Sequence, residues 1–214
     1  MRLYQAGDWG YAQFRIPCLL ATSAGALLAL CEARSNPRSD SGQICILLRM
    51  SLDGGQSWSQ PRIVAEDAGN TVGNPCLVEH LPSGTLQLIF NGNDGAVSEA
   101  DILAGRGCRR VLRMESPDGG QSWKGPWDIT DQVTRPGWTW YACGPCHGLC
   151  LPGGRLVIPC NHGDTAPEPG GLVRRRWRDP DAAGSGYRAA RAGLPGLPAG
   201  LGRRPLFPKP GRYP

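Results

Sequence analysis

Ser51-Leu52-Asp53-Gly54-Gly55-Gln56-Ser57-Trp58 returns almost unchanged as Ser116-Pro117-Asp118-Gly119-Gly120-Gln121-Ser122-Trp123, a spacing of 116 − 51 = 65 residues. Two copies of Ser-x-Asp-x-Gly-x-Ser-Trp form an internal repeat. A repeat of this period predicts a modular β architecture such as a propeller. Each residue type has a mechanical reason to be present. The aspartate can hydrogen-bond its own backbone, and glycine accepts the positive φ of a tight turn. The tryptophan can pack its ring under the turn and anchor a hairpin to its sheet. Ser51, Asp53, Gly55 and Trp58, with Ser116, Asp118, Gly120 and Trp123, are therefore read as structural residues of two Asp-box turns, with no chemistry required of either aspartate.

Outward from the boxes, residues 14–20, 26–32, 44–50, 86–90 and 155–159 are short apolar runs punctuated by Gly, Pro, Asn and Ser. They read as strands. Leu81-Pro82-Ser83-Gly84 and Leu151-Pro152-Gly153-Gly154 read as connectors of the hairpin kind. No segment keeps a 3.6-residue apolar period over helix length. The expected fold is all-β, part of a propeller of four-stranded blades with two to three blades present. A chain of 214 residues is long enough to bury a core of this size.

The composition breaks after Asp164. Residues 165–214 hold 9 Arg and 1 Lys against Glu168, Asp179 and Asp181, a charge of +7, whereas the whole chain carries +5. Residues 1–164 therefore carry −2, so the basic character belongs to the last stretch alone. That stretch also holds 9 Pro and 9 Gly and has no alternating apolar pattern or third box. Two domains follow: a partial propeller over 1–164 and an Arg/Gly/Pro-rich tail over 165–214. The tail is expected to be disordered, since it cannot bury enough apolar surface to offset its ordering entropy, or to be the product of a shifted reading frame. A nucleic-acid or membrane arm is the weaker reading, because Arg174-Arg175-Arg176 is a short run without aromatic interleaving.

Phe14-Arg15-Ile16-Pro17 stands at the head of the first strand run. Together with the two boxes it resembles the sialidase (neuraminidase) family, in which such a motif opens a catalytic six-bladed propeller. Glu32-Ala33-Arg34, Asp40 ahead of the run starting at Ile44, Gly73-Asn74-Pro75 and residues 140–145 (Trp-Tyr-Ala-Cys-Gly-Pro) extend the resemblance over residues 1–164. It implies an exo-alpha-sialidase, a retaining glycoside hydrolase that releases terminal sialic acid from glycoproteins, glycolipids or oligosaccharides without a cofactor. It also implies roles. Arg15 would be the first of three arginines that clamp the substrate carboxylate, where a guanidinium offers two parallel charge-assisted bonds. Arg34 would lie at the pocket rim and Glu99 would line the glycerol subsite. Asp40 would act as acid/base, protonating the leaving oxygen and then activating water. Ser39 and Arg38 compete with Asp40 for that register, since one extra residue separates it from Arg34. Ser39-Asp40-Ser41-Gly42 is also an ordinary turn sequence. Trp140 and Tyr141 read as packing residues.

No second or third clamp arginine appears in a recognisable context, and neither does the family's tyrosine nucleophile with its glutamate; Tyr187 and Tyr213 lie in the tail. The expectation is a family member with little or no activity in this chain alone. The alternatives are a non-catalytic Asp-box module that binds a glycan or a protein, or a truncated, non-functional translation. Arg15, Arg34 and Asp40 separate the enzyme from the binding module, because a module has no use for that set.

Nine cysteines make an odd number with no signal peptide ahead of them, so a disulfide framework is not expected and a reducing cytoplasm is the default location. Peripheral membrane association stays open, and no stretch has the length and apolarity of a transmembrane helix. Cys143-x-x-Cys146-His147-x-x-Cys150 carries a zinc-compatible residue set. It is read as one strand whose alternation would send the ligands to opposite faces, so no metal is expected. His162 has two readings, a residue facing the pocket and, more commonly for such a sequence, an exposed loop residue.

Overall fold

Strands β1 (Gln13–Ala21), β2 (Leu27–Arg34), β3 (Ile44–Ser51) and β4 (Arg62–Ala65) form an antiparallel meander. The computed structural model describes residues 1–164 and 174–178. A second meander follows in the same order: β5 (Thr71–His80), β6 (Thr85–Asn93), β7 (Arg110–Ser116) and β8 (Lys124–Asp128). A third sheet joins β9 (Trp138–Cys143) and β10 (Leu149–Cys150) to β11 (Leu156–Asp164), and the backbone of β12 (Arg174–Arg178) pairs with β11 as well. The helices among the described residues are short: a 3-10 turn at Asp8–Gly10, α1 (Glu99–Leu103) and α2 (Thr130–Val133). This matches the lack of any long 3.6-residue period. Each sequence-assigned run falls on a strand (β1, β2, β3, β6, β11), with Ala26 and Arg155 one position ahead of β2 and β11. The tail expectation falls, apart from β12, on residues outside those described.

The boxes are the turns that carry β3 into β4 and β7 into β8. In the first, the Ser51 hydroxyl donates to Asp53 Oδ1 at 2.8 Å and accepts the Gly55 N–H at 2.8 Å. Asp53 in turn accepts the Ser57 N–H at 2.9 Å and the Ser57 hydroxyl at 2.5 Å. Ser116, Asp118, Gly120 and Ser122 repeat the circuit. Gly54 and Gly55 sit at φ 71° and 92°, Gly119 and Gly120 at 69° and 95°, which is why both copies carry paired glycines. Trp58 folds back so that its indole N–H donates to the Gly55 carbonyl at 3.2 Å, while Trp123 packs against the main core.

Strand alternation distributes the apolar residues between neighbouring sheets. Cys18, Leu28, Leu30, Ile46 and Leu48 of the first meander meet Leu77, Leu86, Leu88 and Phe90 of the second. Cys76, Val78 and Ile89 point the other way, into a core with Tyr141, Cys143, Leu156, Ile158 and Cys160 of the third sheet. The first strand of the second meander is thus buried on both faces, each fully buried Leu or Val contributing about 1.5–3 kcal/mol. The remaining face of the first meander (Cys31, Ala33, Cys45, Leu47) is covered by Tyr4 and Tyr11 from the N-terminal segment and by Phe14 of β1. Arg49 pins that segment by donating to the Leu3 carbonyl at 2.8 Å, with its guanidinium 5.5 Å from the Trp9 ring centroid.

Two bulges occupy equivalent places. Register slips between Arg15 and Cys18 in β1, and between Gly73 and Cys76 in β5. In each, the residue before the proline has left-handed backbone: Ile16 at φ 51° and Asn74 at φ 54°. Such a φ is uncommon in a β-branched residue and marks a place where the surroundings over-determine the backbone.

Candidate functional site

Along β2 the residues Leu28, Leu30, Glu32 and Arg34 share one face. The first two lie in the main core, and the same stripe then turns charged: Glu32 is 3 % exposed and Arg34 4 %. Burying these charges would be costly alone. They neutralise each other, with Arg34 Nε and Nη2 donating to Glu32 Oε2 at 2.9 and 2.5 Å. Glu32 Oε1 accepts the backbone N–H of Asn74 at 2.8 Å, at the bulge of β5. Gly73 makes room for this carboxylate, since a Cβ there would collide with Glu32 Oε1 and stand 2.9 Å from its Cδ.

Arg34 Nη1 reaches forward to Asp40 Oδ1 and to the Ser39 carbonyl, the latter at 3.4 Å. Arg15, opposite Glu32 in the β1–β2 register, donates from Nη1 to the same Asp40 oxygen at 3.0 Å. The structure therefore brings Arg15, Arg34 and Asp40 together from strand ends and the loop between β2 and β3. Arg15 and Asp40 keep 46 % and 58 % of their side-chain surface exposed, so the cluster is open on one side and buried on the other. Burial alone would lower the Arg34 pKa; the Glu32 and Asp40 carboxylates outweigh it and raise it. The competing register residues have other partners: the Arg38 N–H bonds Asn36, and the Ser39 hydroxyl pairs with Ser41.

Glu99 is not bonded to this cluster. It is exposed at the first position of α1, behind a capping box made by Ser98 and Asp101. Tyr141 is a packing residue, 5 % exposed, with its hydroxyl 3.0 Å from Cys160 Sγ. His162 departs from the exposed-loop expectation: it lies in β11, 8 % exposed, with its ring stacked 3.7 Å from that of Trp138. The expected single strand over Cys143–Cys150 is also corrected. Cys143 ends β9, Gly144–Gly148 form a turn and Cys150 belongs to β10. The turn glycines and Gly144-Pro145 interrupt the extended run. Among the described residues no three of His, Cys, Asp and Glu gather as metal ligands. A separate cleft of about 400 Å³, lined by Cys108, Arg110, Asp128, Thr130, Asp131 and Gln132, contains none of Arg15, Arg34, Asp40 or Glu99.

Sequence reasoning passed over Glu32 as a partner, Asn74 as its anchor, and Arg109 altogether. Arg109 sits just before β7 and is 8 % exposed. Its signal is absent from the sequence because its partners lie 16 to 35 positions away. Glu32 could have been found from the even spacing of Leu28, Leu30, Glu32 and Arg34, which commits the carboxylate to the core face.

Residues 25–179 match the BNR repeat-like domain family. The chain is 33 % identical over 168 residues to an exo-alpha-sialidase of Aspergillus fumigatus, covering 70 % of this chain and 41 % of the relative. It is 37 % identical over 166 residues to human sialidase-3, covering 73 % of this chain and 39 % of that protein. The chain thus spans about two fifths of the length of the curated relatives it matches. Among solved structures, the Hadza microbial sialidase Hz136 superposes with a TM-score of 0.73 at 24 % identity, over 84 % of this chain and 37 % of that one. The Trypanosoma rangeli sialidase in complex with the inhibitor DANA superposes at 0.62 and 17 % identity, over 82 % of this chain and 30 % of that one. These two likenesses concern the fold.

Proposed function

We propose that this chain, which belongs to the sialidase (neuraminidase) family of BNR-repeat proteins, carries the acid/base and first-arginine part of an exo-alpha-sialidase site. Its substrates would be sialylated glycoproteins, glycolipids or oligosaccharides. The three sheets would be consecutive blades of a six-bladed propeller. The observation that carries the reading is the convergence of Arg15 and Arg34 on one oxygen of the exposed Asp40, with Glu32 buried behind them.

The chemistry follows from the residue types. Arg15, half exposed, offers the fork that a sugar carboxylate accepts in two parallel bonds. Arg34, held from behind by Glu32, cannot swing away, so it presents a fixed cation at the rim. Asp40 in its acid form gives its proton to the glycosidic oxygen as the bond from the anomeric carbon to that oxygen breaks, and the aglycone leaves as an alcohol. As carboxylate it then takes a proton from the water that adds to the anomeric carbon, which returns Asp40 to its starting state. In a retaining cycle a nucleophile holds the sugar between the two steps; the family resemblance assigns this to a tyrosine. Tyr4, Tyr11 and Tyr141 are engaged elsewhere, through Ala29, Cys45 and Cys160. Glu99 is retained as the glycerol-subsite candidate on resemblance alone.

The test is a fluorogenic sialoside assay on the purified chain, paired with calorimetric titration of an unsaturated sialic acid analogue. Turnover abolished by Asp40→Ala supports the enzyme. Binding without turnover, lost in Arg15→Ala, restricts the chain to sialic acid recognition. Neither binding nor turnover overturns the assignment for this chain.

A further inference from the structure

Arg109 is a buried cation that the proposed reaction does not use. Its guanidinium donates to three acceptors on three different strands: Nε to the Tyr141 carbonyl of β9 at 3.1 Å, Nη1 to Asn93 Oδ1 of β6 at 2.6 Å, and Nη2 to Asn74 Oδ1 of β5 at 2.5 Å. The Trp140 ring centroid lies 4.2 Å from its Cζ. Among the described residues no carboxylate comes within ion-pair distance of it. Burial pulls its pKa down, and the more distant Glu32 and Glu99 carboxylates offset this only in part. A buried guanidinium held by neutral oxygens is an expensive way to join strands, since apolar packing would do so at lower desolvation cost. What an arginine adds is direction: a planar fork that fixes several acceptors at once.

The acceptor that links it to the site is Asn74. This residue holds a left-handed backbone at φ 54°, and its N–H is bonded to Glu32 Oε1 at 2.8 Å. With its side chain tied to Arg109 and its backbone tied to Glu32, Asn74 forms the middle of a continuous polar chain. That chain runs from Arg109 through Asn74, Glu32 and Arg34 to Asp40, and so from the start of β7 in the second meander to the first meander. We infer that Arg109 is a positioning residue: it locks the β5 bulge through Asn74 and thereby sets the orientation of Glu32 and Arg34 beneath Asp40. Its importance for substrate rests on the sialidase reading above, whereas its control of the bulge does not.

Nitrogen-15 NMR of the full chain separates the two. In Arg109→Gln, the Asn74 amide resonance and the Arg34 Nε–H resonance are expected to shift, and Asn74 amide exchange to accelerate at least about tenfold. The Gly55 and Gly120 amides, bonded to serine hydroxyls in the boxes, keep wild-type exchange. Arg109→Lys, which keeps the charge but loses the fork, is expected to give no rescue. Equal acceleration at Asn74, Gly55 and Gly120 would reveal only a global structural role, and unchanged Asn74 and Arg34 signals would remove any role; either overturns the inference. If Arg109→Gln does not fold, Asn74→Gly decides. It removes the whole carboxamide, and with it the Oδ1 acceptor of Arg109, while tolerating the left-handed backbone, and it must reproduce the Arg34 shift or the inference fails. Titration of the unsaturated sialic acid analogue forms the second arm. A roughly tenfold loss of affinity in Arg109→Gln extends the positioning role to the ligand, and unchanged affinity limits it to the bulge. A wild-type chain that binds nothing defeats the sialidase reading and leaves the NMR result to decide Arg109.

Discussion

Glu32 and Arg34, two residues apart on β2, meet on the buried face of the strand, where Nε and Nη2 of Arg34 reach one oxygen of Glu32 at 2.9 and 2.5 Å. Their side chains are 4 % and 5 % exposed. Removing one member of such a pair strands the other charge out of water. Glu32→Gln is expected to lower stability by about 3–5 kcal/mol. Asp40→Asn, at a carboxylate 58 % exposed, is expected to cost about 1 kcal/mol or less. Urea unfolding of both variants checks the contrast, and equal losses would show that Glu32 is not the buried anchor.

Gly73→Ala probes the same contact from the other strand. The added methyl group would strike the Glu32 carboxylate, so either the carboxylate or the β5 bulge has to move. A loss of about 1–3 kcal/mol is expected for such overpacking. The Arg34 Nε–H resonance should shift in the same spectrum. Gly54→Ala strains only the first box turn and should leave that resonance in place.

Turnover and stability should separate between two aspartates. In any preparation with sialidase activity, Asp40→Ala is expected to reduce turnover by about 10²–10⁴, the usual range for a lost general acid/base. Asp53→Ala should leave turnover per folded molecule unchanged and lower stability, because it opens the Ser51–Asp53–Ser57 circuit. Equal loss of turnover at matched folding in both variants would end this division of roles.

The boxes also set an acid limit. The hydroxyl and then the N–H of Ser57 hold the Asp53 carboxyl below the usual carboxylate range, and Ser122 does the same for Asp118. For a depressed folded-state pKa, the stabilisation is complete above the unfolded value of about 4 and disappears as pH falls through the folded one. Unfolding free energy should therefore decline below about pH 4, and Asp53→Asn should shallow that decline.

At the alkaline end the sign reverses. Burial pushes the Cys18 thiol up to about 11 and the Tyr11 phenol up to about 12. Each contribution is complete below the unfolded pKa, about 8.5 for a thiol and about 10 for a phenol, and is lost as pH rises through the folded value. Stability should fall between about pH 9 and pH 12, and Cys18→Ala should flatten the first part of that fall.

The sequence by itself determined the local devices. A turn that closes on its own serine and aspartate needs only residues 51–58 or 116–123, so both boxes were legible with their hydrogen-bond logic. Short apolar runs over 14–20, 26–32 and 44–50, bounded by Gly, Pro, Asn and Ser, marked strands. β5 carries no uninterrupted apolar run, because Gly73-Asn74-Pro75 breaks it. The family resemblance named Arg15, Arg34 and Asp40. Only the tertiary structure decided that their side chains converge, that Glu32 neutralises Arg34 from beneath, and that Glu32 and Arg109 hold Asn74 at the β5 bulge from other strands. The physical reason is range. A turn is specified by bonds between neighbours in the chain, whereas a buried charge is specified by whichever distant strand packing brings within 3 Å of it.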